Sequence, residues 1–365
     1  MKWLLFGGLV FALAIGGLLG WFGHLYSTQT TSSIQDFVEE IIPEPARPLQ
    51  AYSFEELRKG TPRTAEITIE PDSVASFEAH LTYTYTSKTL GKTMSGAVNV
   101  PLEPKANNPI IVLLRGWVPG EGYVTGSGSK NVAAALAQAG FITIAPDFFG
   151  YGNSDPEPED EWVGRFQKPL VVTEIISALR TRGLALPDGF IINPKNVGMW
   201  GHSNGGQIAL STLTIAREPI PTALWAPVTA PFPYSILYFS DEEADEGLIT
   251  RKWISQFDRL YDAREFSFTN YLDGLCGPLQ IHQGTNDDAV LVWWNDEFTA
   301  KLDKENELRE ASASASTDEN EDKCLQPIEY DYYVYPGANH NITPGWDLAV
   351  KRDISFFTKE LELTQ

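Results

Sequence analysis

Ser203 is the residue of the sequence whose surroundings most clearly indicate chemistry. It lies in the run Met-Trp-Gly-His-Ser-Asn-Gly-Gly at 199–206, between two apolar segments. The glycines two positions before and after the serine predict a tight turn from a strand into a helix. Such a turn presents the hydroxyl at a helix N-terminus, where the amide of Asn204 can stabilise a negatively charged oxygen. The run predicts a nucleophilic serine; the alternative is an ordinary helix start with Ser203 as its N-cap.

A serine nucleophile needs a base, and the sequence contains five histidines. His24 flanks an apolar N-terminal segment, and His80 lies in a predicted hairpin. His202 is adjacent to the serine, where neighbouring side chains diverge, and His282 is expected to be a hydrogen-bonded core residue of a strand. His340 lies in a Tyr-Pro-Gly-Ala-Asn-His turn after the last predicted strand. By elimination and position His340 is the predicted base; the alternative is a hydrogen-bonded loop histidine.

An acid that orients this histidine is expected after an earlier strand. The segment Leu-Gln-Ile-His-Gln-Gly-Thr-Asn-Asp-Asp-Ala-Val at 279–290 offers two neighbouring carboxylates, Asp287 and Asp288, after a turn that contains glycine. We predict Asp287 as the orienting acid, with Asp288 as a cap or turn residue. The alternative is that Asp288 is the acid. A serine, a histidine and an acid together predict acyl transfer through a covalent intermediate.

A second amide that could hold the oxyanion is expected in the loop after an early strand. The run Leu-Leu-Arg-Gly-Trp at 113–117 ends such a strand. Gly116 would let the backbone approach the reacting atoms, and the amide of Trp117 would donate together with that of Asn204. Arg115 is either a surface residue or a contact to the substrate.

These residues must be positioned by a sheet whose strands end at one edge. Short apolar runs typical of buried strands occur at 110–114, 141–145, 196–200, 222–225, 279–282 and 330–335. Segments with helical spacing lie at 130–139, 170–181, 205–216, 293–302 and 348–361. This alternation predicts a parallel sheet with helices on both faces. Before it, residues 77–85 and 94–100, joined by a turn at 90–92, predict an antiparallel hairpin.

From about residue 77 to the C-terminus the chain resembles the dienelactone-hydrolase and prolyl-oligopeptidase-like branch of the α/β-hydrolases. The resemblance lies in four runs that follow in the family's order, at 145–154 (Ala-Pro-Asp-Phe-Phe-Gly-Tyr-Gly-Asn-Ser), 201–206, 284–290 and 337–340. It implies an α/β-hydrolase fold with a mostly parallel sheet, an N-terminal antiparallel hairpin and a helical cap. It also implies a Ser-Asp-His triad of residues 203, 287 and 340. Arg115 departs from the family, whose members often have His before the glycine.

Two insertions interrupt the alternation of strands and helices. Residues 227–275 are rich in aromatic side chains and predict the cap, whereas the Ala/Ser-rich and acidic stretch 305–323 predicts a disordered surface loop. Cys276 and Cys324 each stand just before a predicted strand. Parallel neighbours begin at the same edge of a sheet, so a disulfide between the two cysteines is expected; two free thiols are the alternative.

The N-terminal segment predicts a membrane anchor. Residues 3–22 are uncharged and largely apolar, and about 20 such residues are needed to cross a bilayer. Lys2 precedes them and the next basic residue is Arg47, which predicts a cytoplasmic N-terminus and an extracytoplasmic catalytic domain. A cleaved signal peptide is the alternative. The predicted domains are a transmembrane signal-anchor at 1–26, a linker at 27–62 with short helices at 34–42 and 53–59, and a hydrolase domain at 63–365.

Composition limits the possible partners. With 48 acidic and 27 basic residues the formal charge is -21, which disfavours binding to nucleic acid. Two cysteines without histidines at ligand spacing predict no metal site, and no cofactor is implied. We therefore predict a serine hydrolase that cleaves a small ester or a peptide, with esters slightly favoured. The alternative is an inactive α/β-hydrolase-fold binding protein.

Overall fold

The computed structural model describes residues 46–363 except 62, 195, 241–243 and 316–323. The chain divides into two compact units, residues 1–48 and 49–365, and the second contains the fold described below. Twelve strands are present in these described residues: β1 Glu66–Ile69, β2 Ala75–Ser76, β3 His80–Thr89, β4 Lys92–Pro101, β5 Ile110–Leu114, β6 Ile142–Pro146, β7 Leu184–Ala185, β8 Ile191–Ile192, β9 Val197–His202, β10 Thr222–Trp225, β11 Leu279–Gly284 and β12 Tyr330–Tyr335.

The helices follow the strands along the chain. The α-helices are α1 Phe54–Lys59, α2 Lys130–Gln138, α3 Glu161–Phe166, α4 Lys168–Arg182, α5 Asn204–Ala216, α6 Tyr234–Ser240, α7 Leu248–Phe257, α8 Val292–Ala315 and α9 Trp346–Glu360. Short 3-10 helices lie at Pro48–Tyr52, Pro71–Ser73, Ala263–Phe266, Phe268–Asn270 and Leu272–Gly274.

One mixed sheet organises the second unit. Its order is β1-β3-β4-β6-β5-β9-β10-β11-β12, with β2 paired to β3, while β7 and β8 form a separate pair. The six strands β6, β5, β9, β10, β11 and β12 run parallel to one another, whereas β1, β3 and β4 are antiparallel to their neighbours. Leu90 and Gly91, both with positive φ, form the tight turn of the predicted hairpin between β3 and β4.

Helices cover both faces of this sheet. In β5 the buried side chains alternate between two core clusters, because successive residues of a strand point to opposite faces. The cluster that contains Ile110, Val112 and Leu114 packs against α4, α5 and α8. The cluster that contains Ile111 and Leu113 packs against α2 and α9. The sheet is thus buried on both faces, as its near-continuous apolar strands require.

The predicted fold class is wrong in its transmembrane element. Residues 3–22, from which that helix was predicted, lie outside the described residues. None of the described helices is long and apolar enough to cross a bilayer. The longest, α8, has 24 residues but carries acidic and basic side chains along its length. What remains of the predicted fold class is an α/β-hydrolase-like fold with a mixed sheet. The membrane contact predicted through the N-terminal helix is not supported.

The predicted linker and the second insertion are more ordered than expected where they are described. Leu49 and Phe54 are buried, so the described end of the linker packs into the second unit; the predicted helix at 34–42 lies outside the described residues. Residues 305–315 extend α8 instead of forming a loop, since Glu, Lys, Arg, Leu and Ala favour helices. Arg309 in this extension is buried and donates hydrogen bonds to the carbonyl oxygens of Leu272 and Leu275.

A disulfide joins the chain on either side of that extended helix. Cys276 and Cys324 are bonded, with their Cα atoms 4.8 Å apart. The two residues precede β11 and β12, which pair in parallel with Leu279 opposite Tyr330. A cross-link over a sequence separation of 48 restricts the unfolded chain and typically contributes about 2–4 kcal/mol of stability. It also ties down the segment that leads to β11 and its following loop.

Candidate active site

Ser203 occupies the turn between β9 and α5. Its φ of 56° and ψ of −121° are strained for a residue with a side chain, and the side chain makes no N-cap hydrogen bond. A Cβ on Gly205 would lie 1.9 Å from the carbonyl oxygen of Leu114, and one on Gly201 would lie 2.7 Å from that of Gly205. Only glycine fits at either position, so the local sequence forces the sharp turn. This geometry does not fit the alternative of an ordinary helix cap, and it is compatible with the predicted nucleophile.

The three predicted triad residues follow strands that end at one edge of the sheet. Ser203 follows β9, Asp287 lies in the loop after β11, and His340 lies in the loop after β12. The strands β9, β10, β11 and β12 are consecutive neighbours and parallel. Their carboxyl ends therefore bring together residues that are far apart in sequence.

Asp287 and His340 are in direct contact. The Nδ1 atom of His340 lies 2.9 Å from Oδ2 and 3.1 Å from Oδ1 of Asp287. The carboxylate is buried, and its Oδ1 also accepts hydrogen bonds from the amides of Ala289 and Val290, at 3.0 and 2.8 Å. Gln283 Nε2 donates to Oδ2 at 3.2 Å. Nδ1 of His340 thus donates to a fixed acceptor, which leaves its Nε2 to accept a proton.

The predicted base, His340, lies close to His202, the residue that precedes Ser203. The rings of His202 and His340 are 4.6 Å apart between centroids, and Nε2 of His202 lies 3.0 Å from the carbonyl oxygen of His340. In the described part of the chain no hydrogen bond joins Ser203 to His340. Such contacts are often long before substrate binds, so the structure joins Asp287 to His340, and the link from His340 to Ser203 stays a prediction.

The other histidines are accounted for differently. His282 is fully buried and both ring nitrogens are bonded, Nδ1 to the hydroxyl of Tyr335 at 2.7 Å and Nε2 to Asp353 at 3.0 Å. This is the hydrogen-bonded core histidine that the sequence predicts. His80 is buried in β3 and stacks on Phe77 at 4.7 Å. His24 lies outside the described residues.

His202 is a positioning residue that sequence reasoning did not assign. Because a carbonyl oxygen can only accept, the Nε2 of His202 carries the proton in its bond to the His340 carbonyl. Burial, and to a smaller extent the neighbouring His340, lower the pKa of His202 to about 4. At neutral pH a neutral imidazole therefore holds the backbone of the predicted base. The contact between His202 and His340 could not be predicted from the sequence, because the two residues lie far apart in it and follow different strands.

The depressed pKa of His202 predicts an acid-sensitive contribution to stability. The unfolded chain binds this proton near pH 6.5 and the folded chain near pH 4, so the unfolded state holds more protons between these values. The contribution is present above about pH 6.5 and is lost as the pH falls towards 4. We expect a loss on the order of 2 kcal/mol in the free energy of unfolding. Urea unfolding of the native protein and His202→Gln at pH 7, 5.5 and 4.5 measures it; identical pH slopes in the two proteins would contradict the assignment.

The predicted oxyanion donors flank the nucleophile. Asn204 is the first residue of α5, and a Cβ on Gly116 would lie only 3.0 Å from Cβ of Ser203, so the loop bearing Trp117 touches the turn. Within the described residues neither the Trp117 amide nor the Asn204 amide donates a hydrogen bond. Both amides are available to an oxygen that develops negative charge. The side chain of Trp117 is 74% exposed.

Arg115 is not a surface residue. Its side chain is buried, and its guanidinium donates to the carbonyl oxygens of Gly116 at 3.0 Å and of Asp147 at 2.8 Å. It also lies over the ring of Tyr151, 4.1 Å from the centroid. Arg115 therefore fixes the first peptide unit of the Trp117 loop to the loop after β6. The sequence signal for this role was its place directly before the glycine.

No group of His, Cys, Asp or Glu side chains in the described ranges could hold a metal ion.

Comparison with known proteins gives a family match and a distant relative. The sequence profile described as the prolyl oligopeptidase family matches residues 128–362. A predicted dipeptidyl aminopeptidase of Schizosaccharomyces pombe is 25% identical over 253 residues, which cover 68% of this chain and 25% of that protein. The chain thus corresponds to about a quarter of the length of this curated relative.

Solved structures share the fold at low sequence identity. An acetyl xylan esterase from Paenibacillus sp. R4 is similar with a TM-score of 0.54 and 14% identity, covering 83% of this chain and 91% of that one. A predicted dipeptidyl aminopeptidase IV from Bacteroides ovatus has a TM-score of 0.52 and 17% identity, covering 78% of this chain and 36% of that one. At these identities the likeness establishes the fold alone.

Proposed function

Since the chain belongs to the prolyl oligopeptidase family and is a serine hydrolase, we propose that it cleaves an ester or amide bond through an acyl-enzyme formed on Ser203. His340 acts as the base, Asp287 orients it, and the amides of Trp117 and Asn204 hold the oxyanion. The observation that carries the proposal is the bond between a buried Asp287 and Nδ1 of His340 at the sheet edge where Ser203 is raised.

The reaction would proceed in two halves. Nε2 of His340 takes the proton of the Ser203 hydroxyl as the oxygen attacks the acyl carbon. The carbonyl oxygen becomes negatively charged between the two amides, where preorganised donors stabilise it. The protonated imidazole then gives its proton to the leaving alcohol or amine. Water, activated by the same histidine, releases the acid and restores the hydroxyl.

Arg115 supports this mechanism by orienting the oxyanion donor. The carbonyl of Gly116 and the N–H of Trp117 belong to one planar peptide unit and point in opposite directions. By holding that carbonyl at 3.0 Å, the buried guanidinium fixes where the N–H points. Arg115 stands where members of the family often have a histidine. Because arginine is also a hydrogen-bond donor, it can hold the Gly116 carbonyl and so keep the oxyanion hole formed.

Arg115→Met is expected to lower kcat by about 10-fold to 100-fold with little change in KM. Losing one oxyanion donor costs about 10²–10³, and a misdirected donor should cost somewhat less. Steady-state kinetics on an activated ester, corrected for folded enzyme by active-site titration, gives both constants. Arg352→Met is the matched control, since Arg352 also lies over a tyrosine, 3.9 Å from the Tyr333 centroid. An unchanged kcat in Arg115→Met would refute the positioning role.

Labelling with a fluorophosphonate probe tests the proposed function directly. A serine hydrolase with a reactive Ser203 takes up the probe, and Ser203→Ala does not. The competing hypothesis is an inactive binding protein with the same fold. That hypothesis predicts no labelling of the folded native protein.

We propose carboxylic esters as the first substrate class and peptides as the second. The aromatic residues of the cap favour esters, because Phe232 and Phe266 line an apolar part of the cavity that Asn204 also lines. The family's description and the dipeptidyl aminopeptidase relative favour peptides. A screen of p-nitrophenyl esters against aminoacyl p-nitroanilides separates the two. Turnover of the anilides alone would reverse the order.

A further inference from the structure

A cavity of about 370 Å³ is lined by Asn204, the first residue of α5 and the one that follows Ser203 in the chain. Asn204, Gln207, Ile208 and Ser211 line it from α5, and the segments α3, α4 and the cap close it. Phe166, Phe232 and Phe266 give it apolar walls; its volume is that of a site for a small ligand group. No role has been assigned to it in the mechanism above.

Two cations, Arg165 and Lys168, line this cavity together with the carboxylates Glu157 and Glu161. Arg165, in α3, donates to Oε1 of Gln207 at 2.8 Å. Among the described residues no acidic side chain is bonded to Arg165. Lys168, the first residue of α4, lies 3.5 Å from Oε1 of Glu157 and is thereby paired. Glu161 also borders the cavity, exposed at the start of α3.

The guanidinium of Arg165 is partly withdrawn from water, since the residue is half-buried. Burial lowers the pKa of Arg165 to about 10 and lowers that of Lys168 as well. Arg165 is still charged at neutral pH. In the described part of the chain, the side-chain amide of Gln207 is the group that compensates its guanidinium for lost contact with water. Charges in such surroundings are usually paired in proteins. A cation held without a carboxylate on the wall of an open cavity is therefore arranged to receive an anion.

The cavity is placed for recognition of a substrate. Asn204, whose amide we assign to the oxyanion, and Gln207, which holds Arg165, lie three residues apart on α5. Three residues of helix rise about 4.5 Å. A group bound by Arg165 would thus share one cavity with Asn204, the residue that follows Ser203.

On these grounds we propose that Arg165 and its cavity bind a carboxylate of the substrate, so that the enzyme prefers esters or amides with an anionic group near the scissile bond. The inference rests on the proposed function of Ser203. Guanidinium groups bind carboxylates through two parallel hydrogen bonds, and Gln207 would fix the orientation of the fork.

Matched pairs of esters test the proposal. For the acyl side, 4-methylumbelliferyl hemisuccinate is compared with 4-methylumbelliferyl pentanoate. For the leaving-group side, the acetyl ester of 4-hydroxybenzoate is compared with that of methyl 4-hydroxybenzoate. We expect kcat/KM for the anionic member of one pair to exceed that of the neutral member by about 10-fold or more, since hydrogen bonds to charged groups are the strong ones.

Variants assign the preference to the cavity. Arg165→Gln should reduce the ratio of anionic to neutral kcat/KM by about 10-fold to 100-fold, and Arg165→Lys should reduce it less. Arg182→Gln is the control, because Arg182 is an exposed cation at the end of α4 and should leave the ratio unchanged. Inhibition of neutral ester hydrolysis by phenylacetate, compared with phenylacetamide, measures the same recognition in the native protein.

The outcomes separate this inference from the proposed function. Neutral esters hydrolysed without any preference for the anionic partner in either pair, and no stronger inhibition by phenylacetate, would overturn the carboxylate site alone. A preference that survives in Arg165→Gln would also overturn it. Failure of the native protein to take up fluorophosphonate would instead overturn the proposed function of Ser203.

Discussion

Ser203→Ala is expected to reduce kcat by about 10⁴-fold to 10⁶-fold, because no other group can form the acyl-enzyme. The turn holds the serine in a strained conformation between β9 and α5, with φ at 56°. Alanine fits the same backbone, since its Cβ replaces that of serine. The variant should therefore fold and bind substrate while losing both fluorophosphonate labelling and turnover. Ester hydrolysis followed by absorbance, with circular dichroism for folding, measures the effect.

Ser255→Ala is the matched control for this experiment. Ser255 is an exposed serine of α7 in the cap, outside the turn and the sheet edge. Its replacement should leave turnover within about 2-fold, as is usual for surface substitutions. If Ser203→Ala kept the native rate, the assignment of the nucleophile would be wrong whatever the fold.

Asp287→Asn is expected to lower kcat by about 10⁴-fold without unfolding the protein. Oδ1 of Asp287 accepts the amides of Ala289 and Val290, while Oδ2 accepts Gln283 and His340. An asparagine has only one acceptor oxygen for these two sides. If its oxygen serves the two amides, its NH₂ faces Nδ1 of the histidine. The imidazole must then carry its proton on Nε2, and it can no longer take one from the serine.

Asp288→Asn separates this role from the general loss of a charge in the same loop. Asp288 is exposed, whereas Asp287 is buried and bonded to the imidazole. The Asp288 variant should keep kcat within about 2-fold to 3-fold. Measuring kcat for the native protein and both variants across pH 5 to 9 compares them under the same conditions. Equal losses in the two variants would mean that the loop as a whole, and not the Asp287 carboxylate, supports the reaction.

Which of the two aspartates contacts His340 is a question that only the tertiary structure could answer. Asp287 and Asp288 have the same chemistry and adjacent positions, so their local sequence distinguishes them weakly. Only the path of the loop after β11 decides that one carboxylate turns inwards to four donors and the other to solvent. The preference for Asp287 in the sequence agrees with this geometry. Its catalytic role remains a prediction.

Arg115 and Arg165 illustrate a second kind of information that local sequence lacks. Arg115 is buried under the oxyanion loop because Asp147 and Tyr151 arrive from the loop after β6. Arg165 borders a cavity because the cap and α5 meet α3 there. Both are arginines in ordinary surroundings along the chain. Their environments are created by segments that are distant in sequence.

The sequence by itself determined the elements and the turn that raises Ser203, because strand and helix periodicities and the need for glycine at tight turns act over a few residues. It also ordered the candidate acid and base along the chain. The tertiary structure alone decided the order of the strands in the sheet, the helical extension to Ala315, the bond between Asp287 and His340, and the bond of Arg165 to Gln207 on the cavity wall. These features depend on which distant segments pack together, and that is settled by burial and pairing over the whole domain.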